Sequence, residues 1–247
     1  MQRRKRSLTQ RAWGKLGRGL GKLVDRAYYR HAGGEGRPVF FDVERTHPAL
    51  RVIDEGYDTI REELLAILPR KDSIPRYHEI DRAQYSISAQ GNAAWRTFFV
   101  SLSGVGDRLP NRQQCPRTAQ IVERIPGLLQ AFFSILEPKK SVPAHDGPHH
   151  YYLRYHTGFV VPREKPPQIR VKDQFYTWKE RESVLFDDSW NHEVFNEAEE
   201  VRVVLITDFL RPGPWYLRAL FRLHVFSILQ SVDEDDTQDL FEKVAIK

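Results

Sequence analysis

Between His47 and Pro69, the residues Leu50, Ile53, Tyr57, Ile60, Leu64 and Ile67 recur at helical spacing, one face of an amphipathic helix that stops near Pro69. The period then changes. "AWRTFFVSLSG" (94–104) reads as a strand, and "CPRTAQIVERIPG" (115–127) holds a short helix closed by Pro126 and Gly127. Beyond it the apolar segments are short and strand-like: "LLQAFFSIL", "YYLRYHTGFVVP", "QIRVKD", "ESVLFDD", "HEVFN" and "VRVVLITDF". Turn-rich stretches such as "PKKSVPAHDGP" and "PREKPP" separate them. Successive strands without intervening helices predict a mainly β fold: an antiparallel sandwich or double-stranded β-helix (jelly roll) core with flanking N- and C-terminal helices. The C-terminal helix follows Pro214, with Trp215, Leu217, Leu220, Phe221, Val225 and Leu229 predicted inward, ahead of an acidic "DEDDTQD".

The N-terminal segment has a different character. Trp13, Leu16, Leu20, Leu23, Val24 and Ala27 form an apolar stripe at helical spacing among cations. Gly14, Gly17, Gly19 and Gly21 oppose helix formation, each by about 1 kcal/mol relative to alanine. The expectation is a helix that forms weakly in water and more readily against an anionic bilayer; a loosely docked basic tail is the alternative. Charge sharpens the contrast. The chain carries a net +5, yet residues 1–30 hold ten Lys/Arg and one acid, Asp25, leaving the rest of the molecule at −4. The reading divides the chain into a basic amphipathic arm (1–36), a jelly-roll domain (37–213) and a C-terminal amphipathic helix and tail (214–247).

Composition excludes several classes. At 247 residues with 40% hydrophobic content, the chain can bury a substantial core. One cysteine, Cys115, allows no internal disulfide and fits a reducing compartment. There is no run of 18 apolar residues, no secretory signal, and no phosphate-loop or dinucleotide fingerprint. The expected location is the cytoplasm, peripheral on the inner face of the membrane through residues 1–30, with no nucleic-acid partner.

Three residues carry the chemistry. His156 sits in "LRYHTGFVVP", His192 lies 36 positions later in "FDDSWNHEVFN", and Arg202 follows ten further on in "EEVRVVLITDF". A jelly roll can bring these strands side by side, so two imidazoles could meet one metal ion, and iron, zinc and copper all accept that ligand. Arginine then offers a rigid fork for the far carboxylate of a dicarboxylic cosubstrate. Gly158 stands where a two-histidine, one-carboxylate site would place its acid. Taken singly, a strand histidine is accounted for by core packing, and Arg202 by an ion pair with Asp208 or Glu200.

Together, "LRYHTGFVVP", "VLFDDSWNHEVFN" and "VRVVLITDFLRP" resemble the aspartyl/asparaginyl β-hydroxylase family, which includes bacterial lipid A and ornithine-lipid hydroxylases. "WRTFFVSL", "CPRT…IPGLLQAFFSIL" and "PAHDGP" extend the resemblance over about residues 45–213, in matching order and spacing. It implies an iron(II)/2-oxoglutarate-dependent dioxygenase using O₂, with ascorbate as a supporting reductant, that hydroxylates an unactivated C–H bond. It further implies His156 and His192 as the metal ligands and Arg202 on the distal carboxylate of 2-oxoglutarate. Arg170 would line the cosubstrate pocket, Asp188 would act beside water near the iron, and His145 would sit at the pocket mouth. Asp187 and Glu193 are expected to be structural. The family characteristically carries a glycine at the position of Gly158 and holds iron with two protein ligands.

Two substrate classes follow. "CPRT", "LRYH", "DEGYDTIREELLAIL" and the basic arm favour a membrane-lipid acyl chain, whereas "FDDSWNHEVFN" stands nearer the branch that β-hydroxylates aspartyl, asparaginyl or free amino-acid substrates. A hydrophobic N-terminal anchor, typical of lipid A hydroxylases, is missing. A halogenase, with chloride in place of the absent carboxylate, and a cupin-like binding protein without turnover are the minor alternatives.

Overall fold

The computed structural model describes residues 7–246; Arg3, Arg4, Lys5 and Arg6 of the basic arm lie outside the described residues. The chain begins with α1 (Leu8–Ala32), β1 (Phe40–Phe41), α2 (Val43–Thr46), α3 (Arg51–Glu55), α4 (Tyr57–Ile67), α5 (Tyr77–Ile80) and α6 (Tyr85–Ser88). Next come β2 (Trp95–Leu102), α7 (Pro116–Val122), β3 (Leu128–Leu136), β4 (Val142–His145), β5 (Tyr152–Val160) and β6 (Gln168–Val171). Then follow β7 (Gln174–Thr177), β8 (Ser183–Phe186), β9 (His192–Phe195), β10 (Arg202–Leu210), α8 (Trp215–Leu229) and α9 (Glu234–Val244).

The strands form two antiparallel sheets. The larger runs β1-β8-β5-β10-β3-β2 and the smaller β4-β9-β6-β7, the expected jelly roll. Alternation along the central strands sorts their side chains into two layers. Leu153, Tyr155 and Phe159 of β5, with Val203, Leu205 and Phe209 of β10, pack outward against α3, α4 and α7. On the other face, Val204 and Ile206 meet Val142, Ile169, Val171, Trp178 and Val194 between the sheets. Arg154 and His156 share this inner face by period-two alternation, so the polar site is built into the inter-sheet layer.

The six-residue helical face predicted from Leu50 to Ile67 is buried throughout. Its helix is nevertheless interrupted at Gly56, where a Cβ would lie 2.7 Å from Ile121 Cδ1 of α7. Each fully buried Leu or Ile on this face contributes about 1.5–3 kcal/mol, which outweighs the break.

The N-terminal segment departs most from expectation. Residues 8–32 form a docked helix opened by a Ser7–Gln10 capping box and closed by Gly33 in the left-handed region (φ 104°). Val24 and Tyr28 are fully buried against Leu217 and Phe221 of α8. Three of the four glycines that weaken the helix intrinsically, Gly14, Gly17 and Gly21, form its contact surface, whereas Gly19 is exposed. A Cβ at Gly17 would sit 2.7 Å from Ile228 Cδ1, and one at Gly21 3.0 Å from the His224 ring, so the two helices approach where side chains are missing. On α8, Leu217 and Phe221 point inward as predicted, but Trp215 is 72% exposed and Leu229 47%. The acidic "DEDDTQD" is no tail; it caps and opens α9, where carboxylates complement the helix N-terminus.

Candidate active site

Strand register brings the predicted residues together. Ile206 of β10 pairs with His156 of β5, so Arg202 lies two inward-facing positions further along β10. Across the sandwich, His192 of β9 pairs with His145 of β4 and Val171 of β6 and projects inward with them. His156, His192 and Arg202 are each at most 5% exposed.

Neither ring nitrogen of His156 has a hydrogen-bond partner. The ring is held by aromatic packing alone, stacked on Trp178 at 5.8 Å and edge-on to Phe186 at 4.9 Å. His192 Nδ1 is 2.8 Å from the Trp190 carbonyl, which orients the ring. Burial holds His156 well below the ordinary imidazole range, with Arg154, Arg202 and His192 adding to the effect. Burial pushes His192 down to about 3, with His145 assisting. Both imidazoles are thus neutral at physiological pH, the state a metal ion requires. Among the described residues no group of three or more His, Cys, Asp or Glu side chains converges, so the histidines stand as a pair.

Arg202 is buried without an anion. Its Nη1 makes only long contacts to Ser134, 3.4 Å to the carbonyl and 3.5 Å to Oγ, and its Nε has no partner. Its guanidinium carbon lies 4.6 Å from the Trp178 ring centroid. Burial alone pulls its pKa down to about 9. An isolated buried cation costs several kcal/mol, and an anion reaching this position would offset that cost. Two neutral imidazoles and an uncompensated guanidinium on one inner layer fit a divalent ion together with a dicarboxylate.

Asp188 is fully engaged on one oxygen and free on the other. Oδ2 accepts from Tyr152 Oη at 2.9 Å and Arg154 Nη1 at 2.8 Å, while Oδ1 has no partner. Arg154 also forks onto Asp208, with both bonds at 2.8 Å. Burial raises the Asp188 carboxyl, and Arg154 opposes that rise. Arg154 escaped the sequence reading although it stands two residues from His156, on the same strand face.

Gly158 has a steric reason. A Cβ there would overlap the carbonyl oxygen of Lys179, because the 179–182 segment hydrogen-bonds across the strand: Gly158 N–H donates to Glu182 O and Arg181 N–H to Gly158 O, each at 3.0 Å. Gly158→Asp therefore cannot rebuild a third ligand. We expect this change, and Gly158→Ala, to cost about 3 kcal/mol or more, since the obstacle is backbone. Thermal or denaturant unfolding checks this; a stable Gly158→Asp protein with tighter metal binding would refute it.

Two assignments need correction or narrowing. Arg170 does not face the inter-sheet layer. Its neighbours Ile169 and Val171 take the inward positions, and Arg170 turns out to bond Glu193 Oε1 at 2.5 Å and Asn191 Oδ1 at 2.9 Å. Glu193 is thereby structural. So is Asp187, buried between Arg37 (3.1 Å) and Arg211 (2.6 Å). His145 does reach the site: its ring centroid lies 4.2 Å from that of His192, with Nδ1 2.8 Å from the Pro143 carbonyl.

A cavity of about 670 Å³ opens onto this cluster. His145, Asp188, His192 and Arg154 line its polar side, whereas Leu129 of β3 and Phe221, Val225, Ile228 and Leu229 of α8 form an apolar wall. His156 and Arg202 lie outside this lining.

The aspartyl/asparaginyl beta-hydroxylase family profile matches residues 54–212. The chain is 39% identical over 178 residues to the ornithine lipid ester-linked acyl 2-hydroxylase of Rhizobium tropici, covering 72% of this chain and 62% of that protein. It is 27% identical over 218 residues to human aspartyl/asparaginyl beta-hydroxylase, covering 81% of this chain but 26% of that longer protein. Among solved structures, a Pseudomonas putida prolyl-4-hydroxylase aligns with 63% of this chain and 88% of its own at 16% identity and a TM-score of 0.41. With its paired histidines, Gly158 and Arg202 in one inter-sheet layer and the profile matched across that layer, the chain belongs to the aspartyl/asparaginyl β-hydroxylase family.

Proposed function

We propose that this protein is an iron(II)/2-oxoglutarate-dependent hydroxylase acting on the acyl chain of a membrane lipid. For the reaction class, the observation that carries the reading is Arg202: a buried cation with no anion, on the same inner layer as a neutral His156. His156 and His192 would hold the metal, and Arg202 the distal carboxylate of 2-oxoglutarate. Bound together, iron and cosubstrate supply O₂ activation coupled to oxidative decarboxylation, which the protein's side chains cannot perform.

The chain's own contribution is placement. Trp178 and Phe186 wall His156 off from solvent. Asp188 lines the cavity with its buried Oδ1 unpaired, while Tyr152 and Arg154 fix the carboxylate through Oδ2. Oδ1 can accept a hydrogen bond from water or from a substrate donor. The apolar wall of α8 orients a hydrocarbon alongside and excludes water from it.

The same wall favours a lipid over an amino acid. An aspartyl carboxylate would need a free cation in the cavity, yet the lining guanidinium, Arg154, is already paired with Asp188 and Asp208. The higher identity to the rhizobial lipid hydroxylase agrees. A halogenase is disfavoured because the Lys179 carbonyl occupies the space beside Gly158, and its negative end repels an anion.

Mass spectrometry of lipids and peptides from cells with and without the gene tests this. The expected result is one added oxygen on an acyl chain, reproduced with purified protein, Fe(II), 2-oxoglutarate and O₂. Oxygen found on a peptide or free amino acid instead would overturn the lipid reading.

A further inference from the structure

We propose that the outer face of the α1–α8 helix pair docks on an anionic lipid bilayer, with α8 serving both as bilayer contact and as the apolar wall of the cavity. The proposal rests on the lipid reading above and names the surface from which that lipid enters.

The two helices run antiparallel: Gly14 faces Ser231, Gly17 faces Ile228 and Gly21 faces His224. Because the contact uses Gly14, Gly17 and Gly21, with Val24 and Tyr28 beyond them, other apolar side chains of α1 are left outside it. Leu16 and Leu23, seven residues apart and so on one face, are 48% and 52% exposed. On α8, Tyr216 and Leu223 repeat that spacing at 55% and 48% exposure, beside Trp215 at 72% and Phe226 at 51%. Trp13 of α1 meets Phe226 of α8 edge-on at 5.7 Å, joining the two rows into one apolar face. A face this apolar is not an ordinary solvated helix surface.

Its surroundings say what covers it. Arg11, Lys15, Arg18, Lys22 and Arg26 of α1, with Arg218 and Arg222 of α8, are exposed around it. Among the described residues none of these seven pairs with an acidic side chain; Asp25 is taken by His150 at 2.9 Å. Apolar and aromatic side chains flanked by free cations match the boundary between acyl chains and anionic headgroups. A second copy of this face would set cations against cations. On its inner side, α8 turns Phe221, Val225 and Ile228 into the cavity, and half-exposed Leu229 belongs to both cavity and surface. A lipid chain leaving the bilayer therefore meets continuous apolar surface along one helix until it reaches the polar cluster.

The test is sedimentation of the full chain with vesicles of phosphatidylcholine alone or mixed with phosphatidylglycerol. Binding is expected only to the anionic vesicles and is expected to weaken with salt. The pair Leu223→Asp/Phe226→Asp and the pair Arg18→Glu/Lys22→Glu should each lower partitioning at least about tenfold. Both should keep turnover of detergent-dispersed lipid, because none of the four side chains lines the cavity. Equal binding to neutral vesicles, unchanged binding by both variants, or a dimer that the same substitutions dissociate would overturn the proposal. If the vesicle results hold but no lipid gains oxygen, the docking surface stands and the substrate reading fails.

Discussion

Alanine at His156 or at His192 is expected to abolish iron-dependent conversion of 2-oxoglutarate to succinate while leaving a folded protein. On the proposed reading each histidine would be half of the side-chain ligand set, since no group of three or more His, Cys, Asp or Glu forms among the described residues. Losing a mere outer partner of a metal ligand costs roughly 10–100-fold in affinity or activity, and losing a ligand from a pair should exceed that. Stability should respond modestly. His156 makes no hydrogen bond, so its removal orphans no protein group and leaves chiefly a cavity, costing about 1–3 kcal/mol. His192→Ala frees the Trp190 carbonyl as well and should be the less stable of the two. Fe(II) or Co(II) titration of each variant supplies a readout independent of turnover. Retained metal binding with normal turnover would remove both residues from the site.

Arg202→Met should separate function from stability in the opposite sense. Methionine keeps the apolar stem and removes a buried charge that has no anion and only 3.4–3.5 Å contacts to Ser134. Replacing such a cation is neutral or stabilising, so the melting temperature of the protein without 2-oxoglutarate should hold or rise. The 2-oxoglutarate requirement should climb roughly 100-fold, about 3 kcal/mol, as expected for losing a charge-assisted fork. Arg202→Lys should recover part of it, retaining the charge without the planar geometry. A fall in melting temperature matching the loss of activity would instead make Arg202 a structural residue.

Much of this architecture was legible from apolar periodicity. The long strands β3, β5 and β10 were readable because each is a nine-residue run rich in apolar and β-branched or aromatic residues between turn signals. The strands that escaped are short: β1 has two residues, and β4 and β7 have four each, β4 containing Pro143 inside what reads as a turn. The pattern Ile169–Arg170–Val171 already indicated that Arg170 points away from its apolar neighbours, and the family resemblance overrode that signal. The roles of the α1 glycines and of Lys179 opposite Gly158 could not be read locally, because both depend on backbone brought from distant sequence. Arg154 was hidden for a similar reason: its two carboxylate partners, Asp188 and Asp208, lie 34 and 54 positions away.

The paired histidines come from opposite halves of the sandwich, His156 from the six-stranded sheet and His192 from the four-stranded one. An ion held between them would therefore be a clasp as well as a reagent. Its binding free energy adds to the adhesion of one sheet to the other, about 2.7 kcal/mol when the free ion stands at 100 times its dissociation constant. Anything that pries the sheets apart would loosen such an ion, and a chelator that takes it would weaken the seam. On the proposed reading, metal occupancy and mechanical closure of the sandwich would thus be a single equilibrium viewed from two sides.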